Sequence, residues 1–123
     1  MMVSFMLTIR SAIFLTSSIF SSIGISNAQQ YMVLGQGNLS CGAWTQERQH
    51  DTLVARTTEA WVLGYLTSFN ASIAPARGGD ISRGTDPNGL AAWIDNYCAR
   101  HPLDPIAIAT SELIAKLIRS PQY

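Results

Sequence analysis

Two cysteines, Cys41 and Cys98, carry the most definite chemistry in this chain. With no other cysteine to compete, they are expected to bond to each other once the chain reaches an oxidising compartment. The same pairing argues against a thiol nucleophile. Other reactive groups are sparse. His50 and His101 are the only histidines, they lie far apart, and no HExxH pattern surrounds them, so a zinc site is not expected. His50 and Asp51 are neighbours, and neighbours on a helix do not face each other, so they make no acid–base pair. His101 precedes Pro102 at a helix end, where it is expected to meet the last carbonyls and the helix dipole. Asp80, Asp86 and Asn88 are oxygen ligands of the kind calcium takes. Their spacing fits no EF-hand loop, and Asp86 is wanted as a helix cap. Gly78, Gly79 and Gly84 read as turn glycines, since no strand precedes them to build a phosphate cradle. No catalytic, cofactor-binding or metal residue is expected, and the chain is not read as an enzyme.

The redox argument depends on export. Residues 1–10 carry one positive charge, Arg10, and no acid. Residues 11–25 are apolar and small, and Ser26-Asn27-Ala28 follows with small residues where an A-x-A-like cleavage site needs them. A run this short and this rich in serine does not comfortably cross a hydrocarbon core of ~30 Å. The expectation is therefore a signal peptide over 1–28, cleaved after Ala28. It implies a periplasmic or secreted location and no stable membrane insertion afterwards. Residues 29–123 form one domain by size.

That domain keeps all eight acidic residues and loses only Arg10 among the eight basic ones. It has no basic patch, so neither nucleic acid nor an anionic membrane is an implied partner. Charged residues make up 13% of the chain, against about a quarter in ordinary soluble domains. So few charges on so small a body imply that apolar surface stays exposed, as binding proteins require.

The elements that position these residues are helical. Val54, Thr58, Trp61, Tyr65 and Phe69 recur at spacings of three and four, with Val62, Leu66 and Ile73 on the same side and Arg56, Thr57 and Glu59 opposite. This predicts helix over about 44–73, broken near His50-Asp51, with Asp51 as the cap of the second part. Residues 29–40 read as a flexible N-terminal arm, and 74–85 as a loop rich in Gly and Pro. Asp86-Pro87 and Asp104-Pro105 each read as a helix start, an aspartate cap before a proline at the first helical position. The first of these helices presents Leu90, Ile94, Tyr97 and Cys98. The second presents Ile106, Ala109, Thr110, Leu113, Ile114 and Leu117. The expected fold is all-α, a small bundle of three to four helices stapled by the Cys41–Cys98 disulfide. Within the loop, Arg77, Asp80 and Arg83 are the candidate partner-binding residues.

Cys41-Gly42, then Trp61-Val62-Leu63-Gly64-Tyr65, then Tyr97-Cys98-Ala99-Arg100-His101-Pro102 before an amphipathic helix, form a more specific constellation. It resembles the HdeA/HdeB-like family of small periplasmic acid-stress chaperones, whose members show a cysteine, a W-L-x-G-Y-like segment and Y-C-x-x-[NH]-P. It is similar also to the Tai-type immunity proteins, which neutralise peptidoglycan amidases of type VI secretion. The resemblance covers roughly residues 40–118. It implies an exported, non-enzymatic protein-binding module whose partners are other proteins, either unfolding clients or one cognate toxin, with Gly64 as a close helix–helix contact. The charge-poor composition departs from the acid chaperones, and the loop over 74–89 is longer than theirs, which suits the immunity-like reading. A homodimer is compatible with the tryptophan-rich surface.

Overall fold

Among the described residues, three of the four α-helices begin at a side-chain cap. The computed structural model describes residues 31–120, apart from the Arg77 side chain; the expected signal peptide lies outside the described residues. Ser40 Oγ accepts from the Ala43 amide (3.2 Å) to open α1, Cys41–Gln49. Thr52 Oγ1 accepts from the Ala55 amide (3.1 Å) to open α2, Leu53–Ser72. Asp86 Oδ1 accepts from the Gly89 amide (2.7 Å) to open α3, Pro87–Arg100, with Pro87 in the first turn. The last helix, α4, spans Ile106–Arg119. No strand occurs among the described residues, and the fold is an all-α bundle.

Two expected caps are corrected. Asp51 does not cap α2, because its φ of 47° puts it in the left-handed region, whereas Thr52 has the extended backbone a cap needs. Asp51 pairs instead with Arg56 at 2.8 Å, and this guanidinium, chiefly through its hydrogen bond, holds the carboxyl below its ordinary range. Asp104 does not cap α4 either. Its carbonyl accepts the Cys41 amide (2.8 Å), and its carboxylate accepts the Tyr97 hydroxyl (2.7 Å). Pro105 takes the capping position without a side-chain bond. It forms an isolated antiparallel bridge with Ser40, and the Ile106 amide donates to the Leu39 carbonyl at 2.9 Å.

The core lies between the predicted faces. Ile106, Ala109, Thr110, Leu113, Ile114 and Leu117 of α4 are all buried, against Leu90, Ile94 and Cys98 of α3 and Val62 and Leu66 of α2. Fully enclosed side chains such as Ile94 and Leu113 contribute about 1.5–3 kcal/mol each. The buried hydroxyls of Thr58 and Thr110 donate to the carbonyls one turn earlier, Val54 (2.7 Å) and Ile106 (2.8 Å), so neither polar group is left unpaired. The Cys41–Cys98 disulfide is formed, with α-carbons 4.7 Å apart and 57 residues of separation, inside the ~4.4–6.8 Å window that the bond requires. It ties the first residue of α1 to the last turn of α3.

Part of the segment read as a loose arm is held in place. Residues Gly35–Asn38 form a 3-10 turn. The Trp61 indole N–H donates to the Leu34 carbonyl (2.8 Å), and the Asn38 amide group donates to the Val33 carbonyl (2.8 Å). Gly37 is buried there, and a Cβ on it would lie 2.6 Å from Trp61 Cη2 and 2.6 Å from Val33 Cγ1. Only glycine lets the turn approach the ring so closely. Gly64, by contrast, is exposed, and an added Cβ would meet nothing within 4 Å. The close-contact glycine is Gly37 and not Gly64.

Candidate functional site

The polar centre of the bundle joins three helices. Trp44 on α1 is fully buried, yet its indole N–H reaches the edge of the core and donates to Asp95 Oδ1 of α3 at 2.8 Å. Arg48, one turn further along α1, donates from Nε to Asp95 Oδ1 (3.2 Å) and from Nη2 to Asp95 Oδ2 (3.0 Å), the two-pronged grip that guanidinium and carboxylate favour. Its Nη1 lies 3.4 Å from Glu59 Oε2 of α2. The guanidinium carbon also sits 5.2 Å from the Trp44 ring centroid, within cation–π range. The Asp95 hydrogen bond, above all, raises the Arg48 pKa over its ordinary value. Every strong acceptor here is already engaged, so the cluster orients helices rather than offering a reactive group.

A second cluster lies at the end of α3. Trp93, Tyr97 and His101 stack along one side of the helix, with ring centroids 5.6 and 4.4 Å apart. The His101 backbone amide donates to the Tyr97 carbonyl (3.1 Å), but its ring rests on Tyr97 instead of on the last carbonyls, with Nδ1 3.8 Å from Asp104 Oδ2. Tyr97 donates to that same carboxylate, and this hydrogen bond, reinforced by desolvation and the Asp104 charge, pushes the phenol up to about 12. A phenol so disfavoured as an anion is a poor proton donor at neutral pH.

The expected partner-binding loop is ordered by contacts to α2. Asn70 binds it twice, donating from Nδ2 to Ser82 Oγ (2.8 Å) and accepting at Oδ1 from the Ile81 amide (3.1 Å). Ile81 is buried beneath. Asp80 Oδ1 accepts from both the amide (2.8 Å) and the hydroxyl (2.6 Å) of Ser82, and these bonds hold its carboxyl below the usual range. Thr85 closes the turn by donating Oγ1 to the Ser82 carbonyl at 2.6 Å. Arg77 ends the 3-10 turn Ala74–Arg77, and its side chain lies outside the described atoms. Asp80 and Arg83 do come together, lining a hollow of about 110 Å³ with Ile81, Leu117 and Ile118.

A neighbouring hollow of about 340 Å³ was not anticipated. Leu90 and Trp93 of α3 and Leu113 and Leu117 of α4 line its apolar part, and Asp86 and Lys116 flank it. Leu117 is common to both hollows. The available signal was Trp93, a large apolar residue left off the core stripe of its own helix.

Apolar surface is concentrated elsewhere. Tyr31, Met32 and Leu34 are 62%, 83% and 70% exposed, and together with Val33, Trp61 and Tyr65 they line a surface depression of about 240 Å³. Trp61 and Tyr65 stack with ring centroids 5.4 Å apart. Next along α2, Tyr65, Phe69 and Ile73 border a further depression of about 190 Å³. No helix among the described residues is long and apolar enough to cross a membrane. No family model matches the chain, and neither a curated protein nor a solved structure matches it.

Proposed function

We propose that this chain is a small exported protein-binding module without catalytic activity, acting as a stress chaperone of the HdeA/HdeB-like kind. One observation carries the reading: the apolar strip from Tyr31, Met32 and Leu34 across Trp61 to Tyr65, in which the three leading side chains are more than half exposed. Apolar surface left in water forgoes about 25 cal/mol per Å² that burial would return. A strip of this kind is what a non-specific holder of partly unfolded proteins uses, because apolar contact requires no particular partner sequence. The disulfide suits the same role, since it holds two helices together while their surroundings change. The test is suppression of aggregation by the purified mature protein with a denaturing client. Protection at acid or neutral pH that is reduced by Met32→Ser with Leu34→Ser is the expected result, and no protection at either pH overturns the chaperone reading.

The loop favours a second reading, as an immunity protein that inhibits a secreted peptidoglycan amidase. Asn70 and Ile81 hold that loop in one conformation, and a pre-ordered loop loses little entropy when it meets a single partner. Inhibition of an amidase encoded beside this chain, with no effect on client aggregation, would select this reading over the first.

A further inference from the structure

We infer that Gln29 is a modification site: once cleavage after Ala28 makes it the amino terminus, it closes on itself to a pyroglutamyl ring. Ser26-Asn27-Ala28 runs directly into Gln29-Gln30, so the small residues that a signal peptidase reads are followed at once by glutamine. Residues 26–30 lie outside the described residues, and the reaction depends on their covalent order alone. A glutamine at a chain end differs chemically from one inside a chain. Its α-amine, with a pKa of about 7.7–8.0, is partly unprotonated at neutral pH and so nucleophilic. The amine nitrogen attacks the side-chain Cδ carbonyl, and the new N–Cδ amide bond closes a five-membered lactam. The Cδ–Nε2 bond breaks, and Nε2 leaves as ammonia with one proton taken from the attacking amine. Atoms and electrons balance without an oxidant, a reductant or a second substrate.

The ring changes the charge at the edge of the apolar strip. Only Gln30 separates Gln29 from Tyr31, so the new terminus is tethered within about 7 Å of chain from the first residue of the strip. Tyr31, Met32, Val33, Leu34, Trp61 and Tyr65 line the depression there, and none of them is charged. The Trp61 indole N–H fastens this stretch to α2 through the Leu34 carbonyl (2.8 Å). Residues 29–46 contain no Asp, Glu, Lys, Arg or His at all. A free α-ammonium would therefore be the single formal charge on that whole segment, beside side chains that are more than half exposed and apolar. An ammonium needs water around it, and apolar surface pressed against it costs that hydration. The lactam carries no charge and keeps an amide N–H and carbonyl, so the strip ends in a neutral group. Loss of a terminal charge is the same kind of change that acetylation makes.

The modification rests on the proposed export and on cleavage after Ala28, and it is independent of which protein the chain binds. The test is mass spectrometry of the full chain after export from a bacterium that carries its complete sequence. The intact protein is treated with an amine-reactive label before digestion, so that any ring closed during digestion is not counted. The tryptic peptide 29–48 ends at Arg48 and contains no lysine, so label on it reports the α-amine alone. The expected peptide begins at residue 29, is lighter than its open form by one ammonia, and carries no label. Pyroglutamyl aminopeptidase should then remove the ring and expose Gln30 to the label. A Gln29→Ala precursor should be cut at the same bond, take up the label fully, and focus at a higher pH than the blocked protein. A terminus at Gln29 that is labelled in most molecules overturns the modification and leaves export standing. A chain left uncut, or cut at another bond, overturns the modification together with the cleavage on which it rests.

Discussion

Replacing Asp95 by alanine and by asparagine should have distinctly different costs, because Asp95 does two jobs for α1. It accepts the indole N–H of Trp44, a side chain with 0% exposure. It also grips Arg48, and in that pair the side chains are 34% and 39% exposed. A buried donor without an acceptor costs about 1–3 kcal/mol. A half-exposed ion pair is worth only about 0–1 kcal/mol. Alanine in a helix returns about 0.5 kcal/mol of propensity relative to aspartate. Asp95→Ala should therefore destabilise by about 1–3 kcal/mol. Asp95→Asn, which keeps a carbonyl oxygen for the indole, should lose no more than about 1 kcal/mol. The assay is urea unfolding followed by far-ultraviolet circular dichroism, which does not depend on the tryptophans. A Trp44→Phe background removes the donor, and there the two substitutions should converge, leaving a coupling of about 1–2 kcal/mol. Equal losses for alanine and asparagine in the native background would refute the idea that the indole hydrogen bond, more than the ion pair, holds α1 to α3.

The paired glycines give opposite signs. Gly37→Ala should destabilise by about 1–3 kcal/mol through its clash with Trp61 and Val33, whereas Gly64→Ala, in open space within α2, should stabilise by about 0.5–1 kcal/mol; melting temperatures measure both. An ultraviolet titration should show Tyr97 ionising near 12 and moving down toward the ordinary phenol value in Asp104→Asn. Because its folded pKa lies above the unfolded one, the contribution of Tyr97 to stability is complete below about 10 and is lost as pH rises through about 12. Replacing both cysteines with serine removes the closure of a 57-residue separation and should cost about 4 kcal/mol by the chain-entropy account, read as a lower midpoint in urea.

What the sequence made legible was local. Asp86-Pro87 announced α3 because the cap and its acceptor lie three residues apart, and the apolar face of α4 followed from spacing alone. The identical Asp104-Pro105 signal misled because distant groups claim Asp104: the Cys41 amide takes its carbonyl and Tyr97 takes its carboxylate. Asp51 and Thr52 are equally good caps by type, and only the left-handed backbone at Asp51 decides between them. The Trp44–Arg48–Asp95 cluster joins residues 51 and 47 positions apart, beyond any periodicity. Of the candidate loop residues, Asp80 and Arg83 line one hollow together. The larger hollow beside Trp93, Lys116 and Leu117 left no sign in the spacing, since residues 84–86 meet α4 only in the folded chain.

The disulfide turns residues 41 to 98 into a closed ring, and the loop between α2 and α3 lies within that ring. A protease that cut once between Gly78 and Gly84 would open the ring without releasing either piece. The piece bearing α1 and α2 would remain covalently tied to the piece bearing α3 and α4. A nick in that loop would therefore leave one molecule, with both halves of its core still joined.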